Sequence, residues 1–213
     1  MKIHTVEYVG TIAKPDGPSP AKGLPQIAFS GRSNVGKSSL INTLLRRTRH
    51  KIARVSATPG KTRAINFFCV NDQFYLVDLP GYGYAKVPTN MRDEWSELIE
   101  WYLGSSGTVD GLVHLMDARR DATPHDLQMI SYLGDVGVPA IVVLTKMDKL
   151  KALEREKAIR RTSQELSLDE DQIVPFSSKT GEGRETLLAA LEELVRAPEP
   201  DTLDALVRGP EAE

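Results

Sequence analysis

The 213-residue chain has one cysteine, Cys69, so an internal disulfide is excluded and a reducing compartment, the cytoplasm, is the expected location. No run of about 18 apolar residues occurs, which excludes a membrane-spanning helix. The opening MKIHTVEYVGTIAKPDGPSP lacks an apolar stretch of roughly 7–15 residues, so no secretory signal is expected there. Acidic residues are absent from Gly17 to Asn71. That window holds ten lysines and arginines and carries +10, while the rest of the chain carries −12, for a net charge of −2. One stretch of the chain is therefore built to meet anions.

What is present alternates apolar strands with amphipathic helices. Residues 3–10 alternate weakly and predict an edge strand, and KPDGPSPAKGLP (14–25) predicts a connector. QIAFS (26–30) predicts a strand and KSSLINTLL (37–45) a helix. INFFCV and FYLVDL flank NDQ and predict a hairpin. A helix follows from about Met91 to Leu103. Next come a buried strand in GLVHLMDA (111–118), a helix near 124–136 and a buried strand in PAIVVLT (139–145). A charged helix over 150–166, a strand in QIVPFSS (172–178) and a helix over 183–196 complete the pattern. Continuous apolar strands between helices predict an α/β fold: a mostly parallel sheet of six or seven strands, one of them antiparallel, with helices on both faces. The expected divisions are an N-terminal strand and connector (1–21), one nucleotide-binding domain (22–197) and a disordered acidic tail (198–213).

GRSNVGKS (31–38) fits G-x-x-x-x-G-K-[ST], after a strand and opening a helix, which is the context a phosphate loop requires. Gly31 and Gly36 permit a tight turn whose N–H groups face phosphate oxygens. The helix N-terminus adds partial positive charge. Lys37 reaches the β- and γ-phosphates, and the Ser38 hydroxyl is a Mg²⁺ ligand. TKMD (145–148) ends a buried strand, where open α/β sheets place ligands. Asp148 there can accept two hydrogen bonds from guanine, a pair that adenine does not offer. The stem of Lys146 can lie over the base. Thr145 stands where such enzymes usually have Asn, so its tether to the phosphate loop is expected to be weaker. The plainer reading makes Asp148 the N-cap of the helix over 150–166. FSS (176–178) fits the loop that offers backbone N–H to guanine O6.

Asp78 ends FYLVD and is placed to support Mg²⁺, and Gly81 has no Cβ to block a γ-phosphate. ATPGKTR carries two threonines, Thr58 and Thr62, either of which could supply the second Mg²⁺ ligand. A loop bound only through the γ-phosphate is ordered with GTP and released with GDP.

Together, GRSNVGKSSLIN, TPGKTRAINFF, DLPGYGYAKV, TKMD and FSS resemble the bacterial EngB (YihA/YsxC) family of Ras-like, translation-factor-type P-loop GTPases, over roughly residues 5–196. DLPGYGYAKV is the most specific of these stretches. The resemblance implies Mg²⁺ ligands at Ser38 and Thr62, and catalytic roles for Lys37, Asn34 and Thr62. It implies nucleotide contacts from Gly31, Arg32, Ser33, Asn34, Val35, Gly36, Lys37 and Ser38, then from Gly60, Lys61, Thr62, Arg63 and Ala64. Further contacts fall to Asp78, Leu79, Pro80 and Gly81, to Thr145, Lys146, Met147 and Asp148, and to Phe176, Ser177 and Ser178. It also implies a monomer off the membrane that acts in late assembly of the large ribosomal subunit, with a link to division and septation. Asn34 implies a K⁺ ion beside the phosphates. The departures are the longer acidic tail and Arg63 where Gln is frequent.

Tyr82 occupies the place where many GTPases carry a water-orienting Gln. A phenol copies an amide poorly, which predicts slow intrinsic turnover completed by a partner; alternatively Tyr82 and Tyr84 simply pack on the switch. RRTRHKIAR (46–54) reads either as a solvated helix end or as a contact to ribosomal RNA phosphates. His50 and His125 show no ligand spacing and receive no role, and Trp95 and Trp101 are expected to pack. A non-hydrolysing, nucleotide-gated binding module for division proteins is the alternative function. A small P-loop kinase is disfavoured because Asp148 would have no role in one.

Overall fold

The computed structural model describes residues 1–46, 64–82, 97–105 and 109–196. The motif residues Gly60 to Arg63, together with Thr58, His50, Tyr84, Trp95, most of the basic run and the acidic tail, lie outside them. Seven strands form one sheet in the order β1-β3-β4-β2-β5-β6-β7. They are β1 (Val6–Ile12), β2 (Gln26–Gly31), β3 (Ile65–Val70), β4 (Phe74–Asp78), β5 (Gly111–Asp117), β6 (Ala140–Thr145) and β7 (Ile173–Pro175). Among the described residues the antiparallel pairings are those of β3, with β1 and with β4; β2, β4, β5, β6 and β7 run parallel. This matches the mostly parallel sheet with one antiparallel strand.

The burial pattern explains the pairing. Every residue of β2 and β4 is buried, as a strand covered on both faces requires. Alternate residues of β2 point to opposite cores. Ile27 and Phe29 join Leu40, Leu44, Leu187 and Leu191 on one face. Ala28 joins Tyr102, Leu103 and Leu133 on the other. The first face is thus covered by helices α1 (Lys37–Leu44) and α4 (Arg184–Val195). The second is covered by residues 97–105, α2 (Pro124–Asp135) and α3 (Ala152–Leu166). Each large apolar side chain buried this way stabilises the fold by roughly 1.5–3 kcal/mol.

Several boundaries differ from expectation. Of the helix predicted from Met91 to Leu103, residues 97–100 are helical and run into a π-helical turn over Trp101–Ser105, while residues 91–96 lie outside the described residues. The last strand is Ile173–Pro175 only, because Phe176 to Ser178 leave the sheet as a loop. The N-cap of α3 is Lys151, not Asp148, so the capping explanation of Asp148 does not hold. The N-terminal strand β1 is an integral edge of the sheet, paired with β3 from Val6 to Ile12.

The strand order reverses about β2, with β4 on one side and β5 on the other. Doubly wound sheets bind ligands at the carboxyl ends of strands at such a point. Gly31, Asp78, Asp117, Thr145 and Pro175 are the last residues of β2, β4, β5, β6 and β7. GRSNVGKS, the described part of DLPGYGYAKV, TKMD and FSS therefore hang from one edge of the sheet.

Candidate functional site

The loop between β2 and α1 is shaped by backbone conformation. Asn34 and Gly36 both adopt left-handed φ, 63° and 115°. The second is the N-cap of α1, where glycine avoids the strain a Cβ would bring. The loop then turns so that α1 begins at Lys37, with its unpaired N–H groups at the phosphate end. The Lys37 ammonium is nearly buried and donates to the Asp78 carboxylate at the end of β4, which is nearly buried too. The two charges, a cation and an anion both largely removed from water, satisfy each other. Leu79 N–H donates to Phe29 carbonyl at 3.1 Å, which carries the chain after Asp78 past the root of the phosphate loop. Gly81 then packs on that loop, where an added Cβ would stand 3.4 Å from Ser33.

The base-reading corner is stitched from two loops. Phe176 N–H donates to Leu144 carbonyl at 2.9 Å, and Met147 N–H donates to Phe176 carbonyl at 3.2 Å. The Ser177 hydroxyl donates to Asp148 Oδ1 at 2.8 Å, which fixes the carboxylate that would read guanine. Gly183 closes the second loop in a left-handed conformation, where any Cβ would collide with the Pro175 carbonyl. Lys146 crosses to the phosphate loop: its ammonium donates to Asn34 carbonyl at 2.8 Å and to Asp117 Oδ2 at 2.9 Å. Thr145 also reaches that loop. Its hydroxyl lies 2.7 Å from Val35 carbonyl and 3.0 Å from Met116 carbonyl. The tether expected of Thr145 is a direct hydrogen bond from its hydroxyl to the loop backbone.

Four residues that the structure ties to the motif loops are not apparent from the sequence: Asp117, His114, Asp126 and Arg184. Asp117, closing an apolar strand, was the most visible of them. It accepts from Arg119 at 2.7 and 2.9 Å as well as from Lys146. Asp126 accepts from Thr123 N–H and hydroxyl through Oδ2, at 2.7 and 2.6 Å. Through Oδ1 it accepts from the Tyr82 hydroxyl and from His114 Nε2, the latter at 3.0 Å. Burial pushes both carboxyls up, but these hydrogen bonds outweigh it and hold both well below the usual carboxylate range. Carboxylates with depressed folded pKa stabilise fully above the ordinary aspartate pKa of about 4 and lose that contribution as pH falls below it. Urea midpoints should therefore drop between about pH 4 and 2, and Asp117→Asn should flatten that slope. An unchanged slope would show that these hydrogen bonds do not stabilise the ionised form.

Arg184, at the start of α4, donates to the Leu44 carbonyl through Nε and Nη2, at 3.1 and 2.8 Å. It thereby ties the end of the guanine-side loop to the last turn of α1 and satisfies carbonyls left open there. Tyr82 packs on the protein itself: its ring stacks on His125 and His114 at centroid distances of 5.8 and 6.1 Å. His125, given no role from spacing, is thus a packing partner. A cavity of ≈ 330 Å³ adjoins the phosphate loop, lined by Arg32, Asn34 and Lys146 on the motif side and by Asp117, Arg120 and Asp121 beyond β5.

The comparisons with known proteins agree with this geometry. A family model described as a 50S ribosome-binding GTPase matches residues 26–146. A relative from Gemmatimonas aurantiaca, a probable GTP-binding protein EngB, is 52% identical over 93% of this chain and 97% of its own. The chain belongs to the EngB family of P-loop GTPases. A second EngB, from Desulforamulus reducens, is 47% identical over 92% of this chain and 95% of its own. A crystal structure of a probable GTP-binding protein EngB superposes with a TM-score of 0.68 at 26% identity, over 80% of this chain and 98% of that one. The EngB-type sheet and helices described above are thus those of solved P-loop GTPases. The Aquifex aeolicus Era structure with GDP·AlF₄⁻, 24% identical with a TM-score of 0.65, covers 83% of this chain and 58% of that one and shares the fold. Among the described residues, no helix is long and apolar enough to cross a membrane.

Donor chemistry says which metal the site suits. Among the described residues, no three His, Cys, Asp or Glu side chains gather to hold an ion. What the EngB-type site offers is the Ser38 hydroxyl at the head of α1 and the Asp78 carboxylate. A hard, oxygen-only set that needs phosphates and waters to complete it fits Mg²⁺. Thr62, the other expected ligand, lies outside the described residues.

Proposed function

We propose that this chain binds GTP with Mg²⁺, hydrolyses it slowly on its own, and acts as a switch in late assembly of the large ribosomal subunit. The carrying observation is the convergence, at one sheet edge, of the Lys37–Asp78 pair beside the phosphate loop with the Ser177–Asp148 pair at the base-reading corner. Residues Gly31 to Ser38 would cradle the phosphates, Asp148 would read guanine, and the stem of Lys146 would lie over the base. Gly60 to Ala64 and Asp78 to Gly81 would respond to the γ-phosphate. When bound, Mg²⁺ would neutralise developing charge between the β- and γ-phosphates, held by Ser38 and Thr62. Asn34 would place K⁺ nearby. The ribosomal reading draws on the family description, 50S ribosome-binding GTPase, and on the basic window, of which Arg46 is largely exposed. The role in division and septation is proposed as a consequence of that assembly role, in a monomer acting in the cytoplasm.

The test is GTP turnover in K⁺ buffer with and without purified large ribosomal subunits. Stimulation by the subunits, lost when Na⁺ replaces K⁺, is the expected result. No stimulation by mature or immature subunits would move the function to a nucleotide-gated binding module for division proteins.

A further inference from the structure

Tyr82 is tied to the protein at two points. Its carbonyl accepts from Ser33 N–H at 2.8 Å, within an isolated parallel bridge between Arg32 and Tyr82. That bond keeps the preceding residue, Gly81, packed on the phosphate loop. Its side chain leaves in another direction: the hydroxyl donates to Asp126 Oδ1 and lies 3.2 Å from His114 Nε2.

The receiving groups are themselves fixed. Asp126 is held by the N-cap of its own helix, through Thr123. His114 is fully buried in β5, and its other ring nitrogen meets the Ser30 hydroxyl of β2 at 2.8 Å. Since a carboxylate only accepts, His114 Nε2 donates to Asp126. Strands β2 and β5 and helix α2 therefore all bear on one phenol. Such a buried, multiply bonded network specifies one position better than packing alone.

We propose that Asp126 and His114 are positioning residues for the response to the γ-phosphate: by anchoring the Tyr82 hydroxyl, they hold Gly81 against the phosphate loop before the third phosphate arrives. The proposal rests on the GTPase reading above. Holding Gly81 in place removes an ordering cost that only triphosphate binding would otherwise bear. GDP, lacking that phosphate, gains nothing from the anchor.

The experiment is calorimetric titration with Mg²⁺ and either GDP or a non-hydrolysable GTP analogue, on the full chain. Tyr82→Phe keeps the ring and its stacking and removes only the hydroxyl. It should weaken analogue binding by about 5-fold, as expected for one lost hydrogen bond, and leave GDP affinity within about two-fold. His114→Leu should act in the same direction, and the Tyr82→Phe/His114→Leu double variant should be no weaker than the worse single one, because both break one anchor. Equal losses for the two nucleotides, unchanged analogue binding, or fully additive losses would overturn the proposal. An unmutated chain that binds neither nucleotide would defeat the GTPase reading and the anchor with it. A chain that binds both, with a ratio insensitive to Tyr82→Phe, defeats the anchor alone.

Discussion

Replacing Lys37 by Met should both abolish guanine nucleotide binding and destabilise the nucleotide-free protein. The two losses have different causes. Nucleotide affinity falls by at least about 100-fold because the cation aimed at the β- and γ-phosphates is gone. Stability falls by about 3 kcal/mol because the nearly buried Asp78 carboxylate loses its counter-charge. A double replacement, Lys37→Met with Asp78→Leu, separates them. It removes both buried charges and should regain most of the stability, while nucleotide binding stays lost. Urea denaturation and GDP titration on the three proteins read the two effects independently. A Lys37→Met protein of unchanged stability would mean that the ion pair contributes nothing to the nucleotide-free fold.

Asp148→Asn should convert a guanine site into a xanthine site. The carboxylate accepts from two guanine donors, and an amide leaves one of them facing another donor. GTP affinity should fall by about 10³-fold, the worth of one lost hydrogen bond to a charged acceptor and the donor left unpaired by it. Xanthine triphosphate, which presents a carbonyl where guanine has its amino group, should bind instead. The fold should tolerate the change, since the Ser177 hydroxyl donates to Asp148 Oδ1 and an Asn oxygen can take its place. Unchanged GTP binding would mean that Asp148 does not read the base, whatever the match of T-K-x-D suggests.

How much of this was legible beforehand depends on whether the information is contiguous in the chain. GRSNVGKS is a phosphate loop in any context that places a strand before it and a helix after it, because the turn and its N–H groups are properties of eight consecutive residues. TKMD and FSS were legible for a similar reason, once the strands carrying them were recognised by their apolar runs. The sheet order was less so, yet an antiparallel pair about NDQ was legible because NDQ is a turn and hairpins are local. The partner of the Thr145 tether was not legible. Residue type alone says that a hydroxyl is shorter than an amide, but only the sheet order, with β6 one strand removed from β2 across β5, shows that Val35 carbonyl is close enough for it. His114 and Arg184 were hidden by their settings. One sits inside an otherwise apolar strand and the other looks like an ordinary charge at a helix start beside Glu185, while the partners that matter here, Asp126 and the Leu44 carbonyl, lie 12 and 140 residues away.

By itself, then, the sequence determined the nucleotide class, the fold class and the edge of the sheet where ligands meet, since short motifs and apolar periodicity carry all three. It also raised the question of Tyr82 without the means to answer it. The tertiary structure decided that Lys37 and Asp78 neutralise each other across 41 residues of sequence. It also decided that the Tyr82 phenol is bound to Asp126, 44 residues away. Such pairings depend on which strands become neighbours, and the central parallel strands are joined through crossovers whose geometry no local pattern encodes.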